Sequence, residues 1–266
     1  DKIIQKRENI HPSTYLGKGK IEEVKNRINE IDATGIICDD ELSPAQMRNL
    51  EKMLECKVMD RTMLILDIFA QRANSKEGKI QVELAQLRYR LSRLGGIGTA
   101  LSRLGGGIGT RGPGEKKLET DRRYIRSRIG QLKADLDEIE THRDLIRARR
   151  KKVGTPMIAI VGYTNAGKST LLNTLSKADV LAEDKLFATL DPTTRSITLP
   201  GGSEVLLTDT VGFIRKLPHH LIKAFKSTLE EAQYADILIH VVDGTTENID
   251  NHMKTVYETL GSLNAL

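Results

Sequence analysis

The sequence predicts an α/β protein in three parts: a small N-terminal α/β domain over 1–79, a basic antiparallel helical hairpin over 80–153, and a domain with a mostly parallel sheet over 154–266. Three observations predict it. Short apolar runs alternate with helical periodicity at both ends of the chain. The middle third carries the whole charge excess. A glycine-dense segment splits the helical pattern of that middle third. Residues 1–80 hold 14 Lys/Arg against 14 Asp/Glu, residues 81–154 hold 18 against 9, and residues 155–266 hold 9 against 13. The net charge of +5 is therefore generated in the middle, and a local excess of this kind is the footprint of a polyanion partner. A length of 266 residues suits two domains or three small ones, and 39% hydrophobic with 29% charged residues is ordinary for a globular chain.

In the first domain, "KIEEVKNRINEI" sets Ile21, Val24, Ile28 and Ile31 at helical spacing. "GIICDD" is a short apolar run ending at acids, as a buried strand does. "SPAQMRNLEKML" opens with Ser43 as N-cap and Pro44 at the first helical position, and "CKVMDRTMLILDIFAQRA" supplies a second strand and the start of a helix. No constellation of His, Cys or paired carboxylates here argues catalysis. Cys38 and Cys56 make neither a disulfide framework nor a metal-ligand spacing, which fits a reducing compartment. No apolar run approaches the roughly 20 residues that span a bilayer, and no signal-peptide pattern opens the chain. A cytoplasmic protein without a membrane span is expected, and a monomer. The opening "DKIIQKRENI" reads as mid-protein, so a start further upstream is expected.

From about Ile80 to Arg90 the pattern turns helical, with Val82, Leu84, Ala85, Leu87 and Leu91 on one face. A longer helical stretch runs from Lys116 to Lys152, striped by Ile125, Ile129, Leu132, Leu136, Ile139, Leu145 and Ile146. Between them "LSRLGGIGTALSRLGGGIGTRGPGE" repeats itself at an interval of ten residues, and nine of the twenty residues from Gly95 to Gly114 are glycine. Glycine loses the most conformational freedom on ordering, and loops beyond about 12–15 residues are functional or disordered. The expectation is a glycine-rich loop over 95–114 that interrupts the helices. Arginine suits phosphate because its planar fork binds bidentately. Aromatic residues are 4% of the chain with no Trp, so contact with folded RNA through backbone and shape is favoured over base stacking. Arg93, Arg103, Gly105, Gly106, Gly107, Gly109, Arg111, Gly112, Gly114, Lys116, Lys117, Arg122 and Arg123 are the candidate RNA-binding set.

At Thr155 the texture changes. "MIAIVG" is a buried strand and "GKSTLLNTLS" opens a helix. "RSITLPGGSEVLLTDT" is a hairpin around a Pro-Gly-Gly-Ser turn, "LIKAFKSTLEEAQYA" a helix, "DILIHVVDGT" a strand and "NIDNHMKTVYETLGSL" a helix. Between the first strand and its helix lies "GYTNAGKS", which matches G-x-x-x-x-G-K-[ST] in the context that motif requires. Backbone N–H groups of Gly162, Tyr163, Thr164, Asn165, Ala166 and Gly167 would face phosphates. Lys168 would reach the outer phosphates, Ser169 would ligate Mg2+, and Thr170 closes the set. "LLTDTVG" then places Asp209 where an acid acting on the magnesium through water is expected, with the Gly212 amide free to meet a terminal phosphate. Between the two motifs "LFATLDPTTR", with Phe187 and Thr189, is a threonine-rich loop able to close over the metal.

Together "GYTNAGKSTL", "LFATLDPTTR" and "DTVGFI" resemble the HflX branch of the translation-associated GTPases, as do "GTRGPGE" followed by "KLETDRR" and the early "HPSTYLGKGKIEEV". The resemblance spans almost the whole chain. It implies a P-loop GTPase domain, GTP and GDP as ligands, and binding to the large ribosomal subunit and its RNA, with splitting or rescue of stalled ribosomes. In it, the glycine loop reaches the peptidyl-transferase centre. Thr189 resembles the switch threonine that joins the magnesium only when the terminal phosphate is present, and Thr193 and Thr194 compete for that role. Lys168, Thr189 and Gly212 are the catalytic candidates. Asn165 resembles the asparagine that some related GTPases use to hold K+ beside the phosphates; an asparagine suited to a tight turn is the other reading. Phe213 stands where Ras-like enzymes keep a water-orienting glutamine, so intrinsic hydrolysis should be slow and ribosome-stimulated. The guanine-reading [NT]-K-x-D is absent before the final "GSLNAL", so the third domain reads as truncated before that motif. A nucleotide-dependent RNA-binding or remodelling ATPase is the alternative.

Overall fold

The computed structural model of the chain describes residues 1–6, 8–101, 113–176, 187, 190–216 and 226–265. Their contacts form two compact units. One comprises Asp1–Asp67 with Gln86–Ile129, the other Ile68–Ala85 with Gly130–Leu266.

In the first unit, α1 (Lys18–Glu30), β1 (Gly35–Cys38), α2 (Pro44–Leu54) and β2 (Lys57–Asp60) follow one another. The strands pair in parallel with Gly35 opposite Lys57 and Cys38 opposite Asp60, as a helical crossover between them requires. The start of α2 is fixed by a reciprocal cap: the Gln46 N–H donates to Ser43 Oγ at 3.2 Å, and the Ser43 N–H donates to Gln46 Oε1 at 2.9 Å. Ile21 and Val24 of α1 join Cys38, Leu42, Leu50, Leu54 and Val58 in the core, with Ile28 against it. Ile31 departs from its predicted stripe. It follows the last helical residue and is 46% exposed.

Three further helices run on from β2: α3 (Arg61–Arg72), α4 (Lys76–Leu101) and α5 (Pro113–Val153). Here the predicted loop is corrected. The helix of α4 continues through Gly95, Gly96 and Gly98 to Leu101, and α5 already includes Gly114. Glycine in a helix costs about 1 kcal/mol relative to alanine, but it keeps its N–H, so the ladder propagates one bond per residue. Proline is the residue that removes a donor, and Pro113 stands at the first position of α5, where that donor has no partner to lose. Residues 102–112 lie outside the described residues, and with them Arg103, Gly105, Gly106, Gly107, Gly109, Arg111 and Gly112. Val82, Leu84, Ala85 and Leu87 are buried as their spacing predicts, and so are Ile125 and Leu132; Leu145 and Ile146 are exposed.

Among the described residues, the second unit is built on a four-stranded sheet of order β4-β5-β3-β6. Its elements are β3 (Met157–Gly162), α6 (Lys168–Ser176), β4 (Thr193–Thr198), β5 (Glu204–Asp209), α7 (Lys226–Gln233), β6 (Ile237–Val241) and α8 (Ile249–Ser262). β3 pairs in parallel with β5 and β6, and β4 is antiparallel to β5, as the predicted hairpin requires. Ala159, Ile160 and Val161 are fully covered, the near-continuous apolar run of a strand with elements on both faces. Ile160, Leu172 and Leu207 form a core cluster beneath the carboxyl ends of β3 and β5, where open α/β sheets bind their ligands. No helix among the described residues is long and apolar enough to cross a membrane.

Candidate nucleotide site and its supports

The chain leaves β3 at Gly162 and enters α6 at Lys168, so five residues must reverse direction between a strand and a helix. Asn165 takes φ 61° and Gly167 φ 92°. Asparagine is among the few side chains that tolerate the left-handed region, and this is the turn reading of Asn165. Asn165, Gly167 and Thr170 are exposed, and Thr164 and Lys168 are buried. The cradle therefore opens outward at its tip, above the N-terminus of α6, where unpaired N–H groups favour an anion.

Lys168 lies inside that cradle at 6% exposure, its Nζ donating to the Tyr163 carbonyl at 2.9 Å. Burial pulls its ammonium down to about 8, with the Asp209 carboxylate pulling back upward. A buried cation gains most when a phosphate supplies the missing charge. Next to it, Ser169 Oγ donates to Asp209 Oδ2 at 2.6 Å, which brings together residues forty positions apart. A hydroxyl and a carboxylate are hard oxygen donors, and Mg2+ takes one or two such groups beside waters and phosphate oxygens. The pair fits that ion. It would hold magnesium against the outer phosphates, where the ion neutralises charge developing on the phosphoryl oxygens. No group of three or more His, Cys, Asp or Glu side chains gathers for a metal among the described residues, and a site completed by phosphate and water needs none.

The second motif lies against the first. The Phe213 N–H donates to the Gly162 carbonyl at 3.0 Å, and the Thr164 N–H donates to the Phe213 carbonyl at 2.7 Å. Phe213 is itself 2% exposed, so its ring fills the core while its backbone extends the β3 ladder. Gly212 is needed for this approach: a Cβ there would stand 2.6 Å from Thr164 Cα and 3.0 Å from Lys168 Nζ. Gly212→Ala is expected to push the segment off the cradle where a terminal phosphate would sit. Overpacking of this kind costs about 1–3 kcal/mol, so nucleoside triphosphate should bind about tenfold more weakly while the diphosphate stays within about threefold. Fluorescent-nucleotide titration of the two ligands checks it; equal losses for both would mean a general distortion.

Tyr163 is held from outside the motif. Its ring stacks on His252 of α8 at 3.7 Å and 6° between planes, and its hydroxyl accepts the Arg215 N–H at 3.3 Å. Phe187 donates its N–H to Thr164 Oγ1 at 3.1 Å, while its ring is buried edge-on against Phe69 at 4.6 Å. Thr189 lies outside the described residues. Of its two competitors, Thr194 sits in β4 with its hydroxyl 2.9 Å from that of Thr208 across the ladder, and Thr193 opens the same strand. On α7, Glu230 and Glu231 are met by α5: Arg147 donates to Glu231 Oε1 at 2.8 Å and Arg143 lies 3.8 Å from Glu230, with the Arg147 guanidinium over the Tyr234 ring at 4.3 Å.

Of the basic set, Lys117 and Arg123 are exposed on α5, Arg122 is half-buried there, and Gly114 and Lys116 belong to its first turn. Arg93 requires a correction. Its guanidinium donates to the buried Asp60 at 2.6 Å and to the Leu42 carbonyl at 3.0 Å, and it covers the Tyr89 ring at 3.3 Å. Those partners are core groups of the first unit, so Arg93 is a structural arginine and leaves the RNA-facing set. The sequence marks Arg143 and Arg147 as part of a basic run but shows neither their partners Glu230 and Glu231, nor Arg93's partner Asp60, nor His252 against Tyr163, because none of these contacts lies within a local motif.

Three family models match the chain in succession: GTP-binding GTPase N-terminal over 1–70, GTP-binding GTPase Middle Region over 72–150, and 50S ribosome-binding GTPase over 157–265. GTPase HflX of Lacrimispora saccharolytica is 71% identical over 263 residues, covering 99% of this chain and 62% of that one. GTPase HflX of Escherichia coli K12 is 50% identical over 255 residues, covering 96% and 60%. The chain thus spans about three-fifths of the length of the curated relatives it matches. Among solved structures, the SsGBP and GDP complex is similar with a TM-score of 0.51 and 29% identity over 96% of this chain and 68% of that one.

Proposed function

The chain belongs to the HflX family of GTPases, and on that premise we propose that it binds and hydrolyses GTP and carries its nucleotide state to the large ribosomal subunit. The observation that carries the reading is the cradle around Lys168: a buried ammonium at a helix N-terminus, beside a Ser169–Asp209 pair suited to Mg2+. In the reaction, water attacks the terminal phosphorus and its bond to the bridging oxygen breaks, giving GDP and phosphate. Lys168 holds the outer phosphate oxygens, and the Gly212 N–H stands where the terminal phosphate arrives. Thr189 reports that phosphate. Phe213 has no group to orient water and its ring is buried, so hydrolysis is slow until the ribosome supplies the missing geometry. K+ beside Asn165 belongs to the same proposal, as does guanine over adenine.

Support for the ribosomal partner is the match of 157–265 to the 50S ribosome-binding GTPase model, together with the basic middle of the chain. Residues 102–112, with Lys117, Arg122 and Arg123 beside them, would contact ribosomal RNA as the full protein splits or rescues stalled ribosomes. Co-sedimentation of the full-length protein with large subunits tests it: binding should be stronger with a GTP analogue than with GDP, and equal binding would remove the switch. Competition by ATP as effective as by GTP would favour the remodelling ATPase. Deleting 105–114 is expected to leave GTP affinity within about twofold and to abolish the effect on ribosomes, read as subunit release in sucrose gradients. Survival of that effect would make the segment a linker.

A further inference from the structure

We propose that His252 is a positioning residue for the nucleotide site: by stacking on Tyr163 it fixes the second residue of the phosphate loop, and through it the Lys168 ammonium and the segment that follows Gly212. This rests on the GTP reading and adds to it a residue that lies outside every nucleotide motif.

The pattern G-x-x-x-x-G-K-[ST] leaves its second position open, so phosphate binding by itself asks for no tyrosine at 163. Yet three parts of Tyr163 have three separate partners. Its carbonyl accepts Lys168 Nζ at 2.9 Å and the Ala166 N–H at 3.3 Å, so it anchors both the ammonium and the turn that passes through Asn165. Its hydroxyl accepts the N–H of Arg215 at 3.3 Å, just past Phe213. Its ring lies face to face with the imidazole of His252, 3.7 Å between centroids and 6° between planes.

Backbone bonds hold the neighbours of Tyr163 rather than its side chain. The Phe213 N–H donates to the Gly162 carbonyl and the Thr164 N–H to the Phe213 carbonyl, which leaves the direction of the Tyr163 side chain to be set by what it touches. The imidazole sets it. His252 stands in the first turn of α8, its N–H donating to the Asn248 carbonyl at 3.0 Å, and the same helix is rooted further on by the buried Val256 and Leu260. Tyr163 and His252 are themselves only half-buried, so the pair sits at the rim of the fold and adds direction more than core. Direction is what the site needs, because a displacement of about 1 Å at a reacting group can cost about 10² in rate.

The test uses the full-length protein and follows steady-state GTP hydrolysis, fluorescent-nucleotide titration and a thermal melt for each variant. His252→Ala should lower kcat about fivefold, the equivalent of about 1 kcal/mol of lost stacking, and leave KM and GDP affinity within about twofold. His252→Phe, which keeps a flat ring against Tyr163, should return kcat to within about twofold of the native value. His252→Gln fills the space without a ring and should not. Tyr163→Leu should lose at least as much as His252→Ala, and the double variant should be no worse than Tyr163→Leu alone, the non-additivity of two residues that act through one contact. Native kcat in both His252→Ala and His252→Gln, no rescue by His252→Phe, or losses that add in the double variant overturn the role. A rate loss that tracks a lowered melting temperature across the variants reduces the pair to packing. Failure of the native protein to bind GTP overturns the nucleotide reading instead.

Discussion

Lys168→Ala is expected to lower GTP hydrolysis by about 10²–10³-fold, the loss seen when one aimed donor is removed from a charged transition state, and to weaken triphosphate binding with it. The side chain is 6% exposed and burial lowers its ammonium to about 8. Without a phosphate the fold holds this cation at a cost, so its removal should leave thermal stability unchanged or slightly raised. That separates the variant from one that merely unfolds. Lys168→Arg should not rescue it, because the planar fork is longer and wider than the point charge the cradle encloses. Single-turnover phosphate release, next to a thermal melt of the same sample, checks both halves. A hydrolysis rate within tenfold of the native one would remove Lys168 from the chemistry.

The phosphate loop was legible because it is local. Eight consecutive residues, Gly162 to Ser169, supply the turn, the donors, the ammonium and the hydroxyl, and the strand and helix on either side are read from the same stretch. Asp209 followed because an acid at the end of an apolar strand has few other reasons to be there, and the structure puts its carboxylate 2.6 Å from Ser169. The Ser43 cap and the Pro-Gly-Gly hairpin were legible for the same reason, and the alternation of strands and helices announced a mostly parallel sheet without its strand order. What the sequence hid is what tertiary packing alone decides. Asp191 meets Ser75 across 116 positions and Arg147 meets Glu231 across 84, with no periodicity to announce either. The glycines of 95–98 misled in the other direction. Propensity argued for a loop, and an intact hydrogen-bond ladder with no proline overrode it.

Arg93 is the residue whose chemistry was read correctly and whose partner was not: a guanidinium seeking an anion, with the anion inside the fold. Arg93→Ala should therefore act on stability before anything else. Asp60 is fully buried, and its oxygens accept the Leu42 and Met63 N–H groups, the Tyr89 hydroxyl and Arg93. Burial and the neighbouring Asp60 push the Tyr89 hydroxyl well above its usual range, so it stays a donor and cannot share the negative charge. Breaking a buried pair by removing one partner costs about 3–5 kcal/mol. Because three donors remain on Asp60, the lower end, about 3 kcal/mol, is expected in guanidinium denaturation. Asp60→Ala should cost more, since it strands all four donors at once. The exposed Arg123 gives the contrast. Arg123→Ala should leave stability within about 0.5 kcal/mol and, if it meets RNA phosphate, reduce the salt dependence of large-subunit binding by about one charge. A stable Arg93→Ala protein with that same weakened salt dependence would return Arg93 to the RNA-facing set; a destabilised one whose folded fraction binds ribosomes normally fixes it in the core of the first unit.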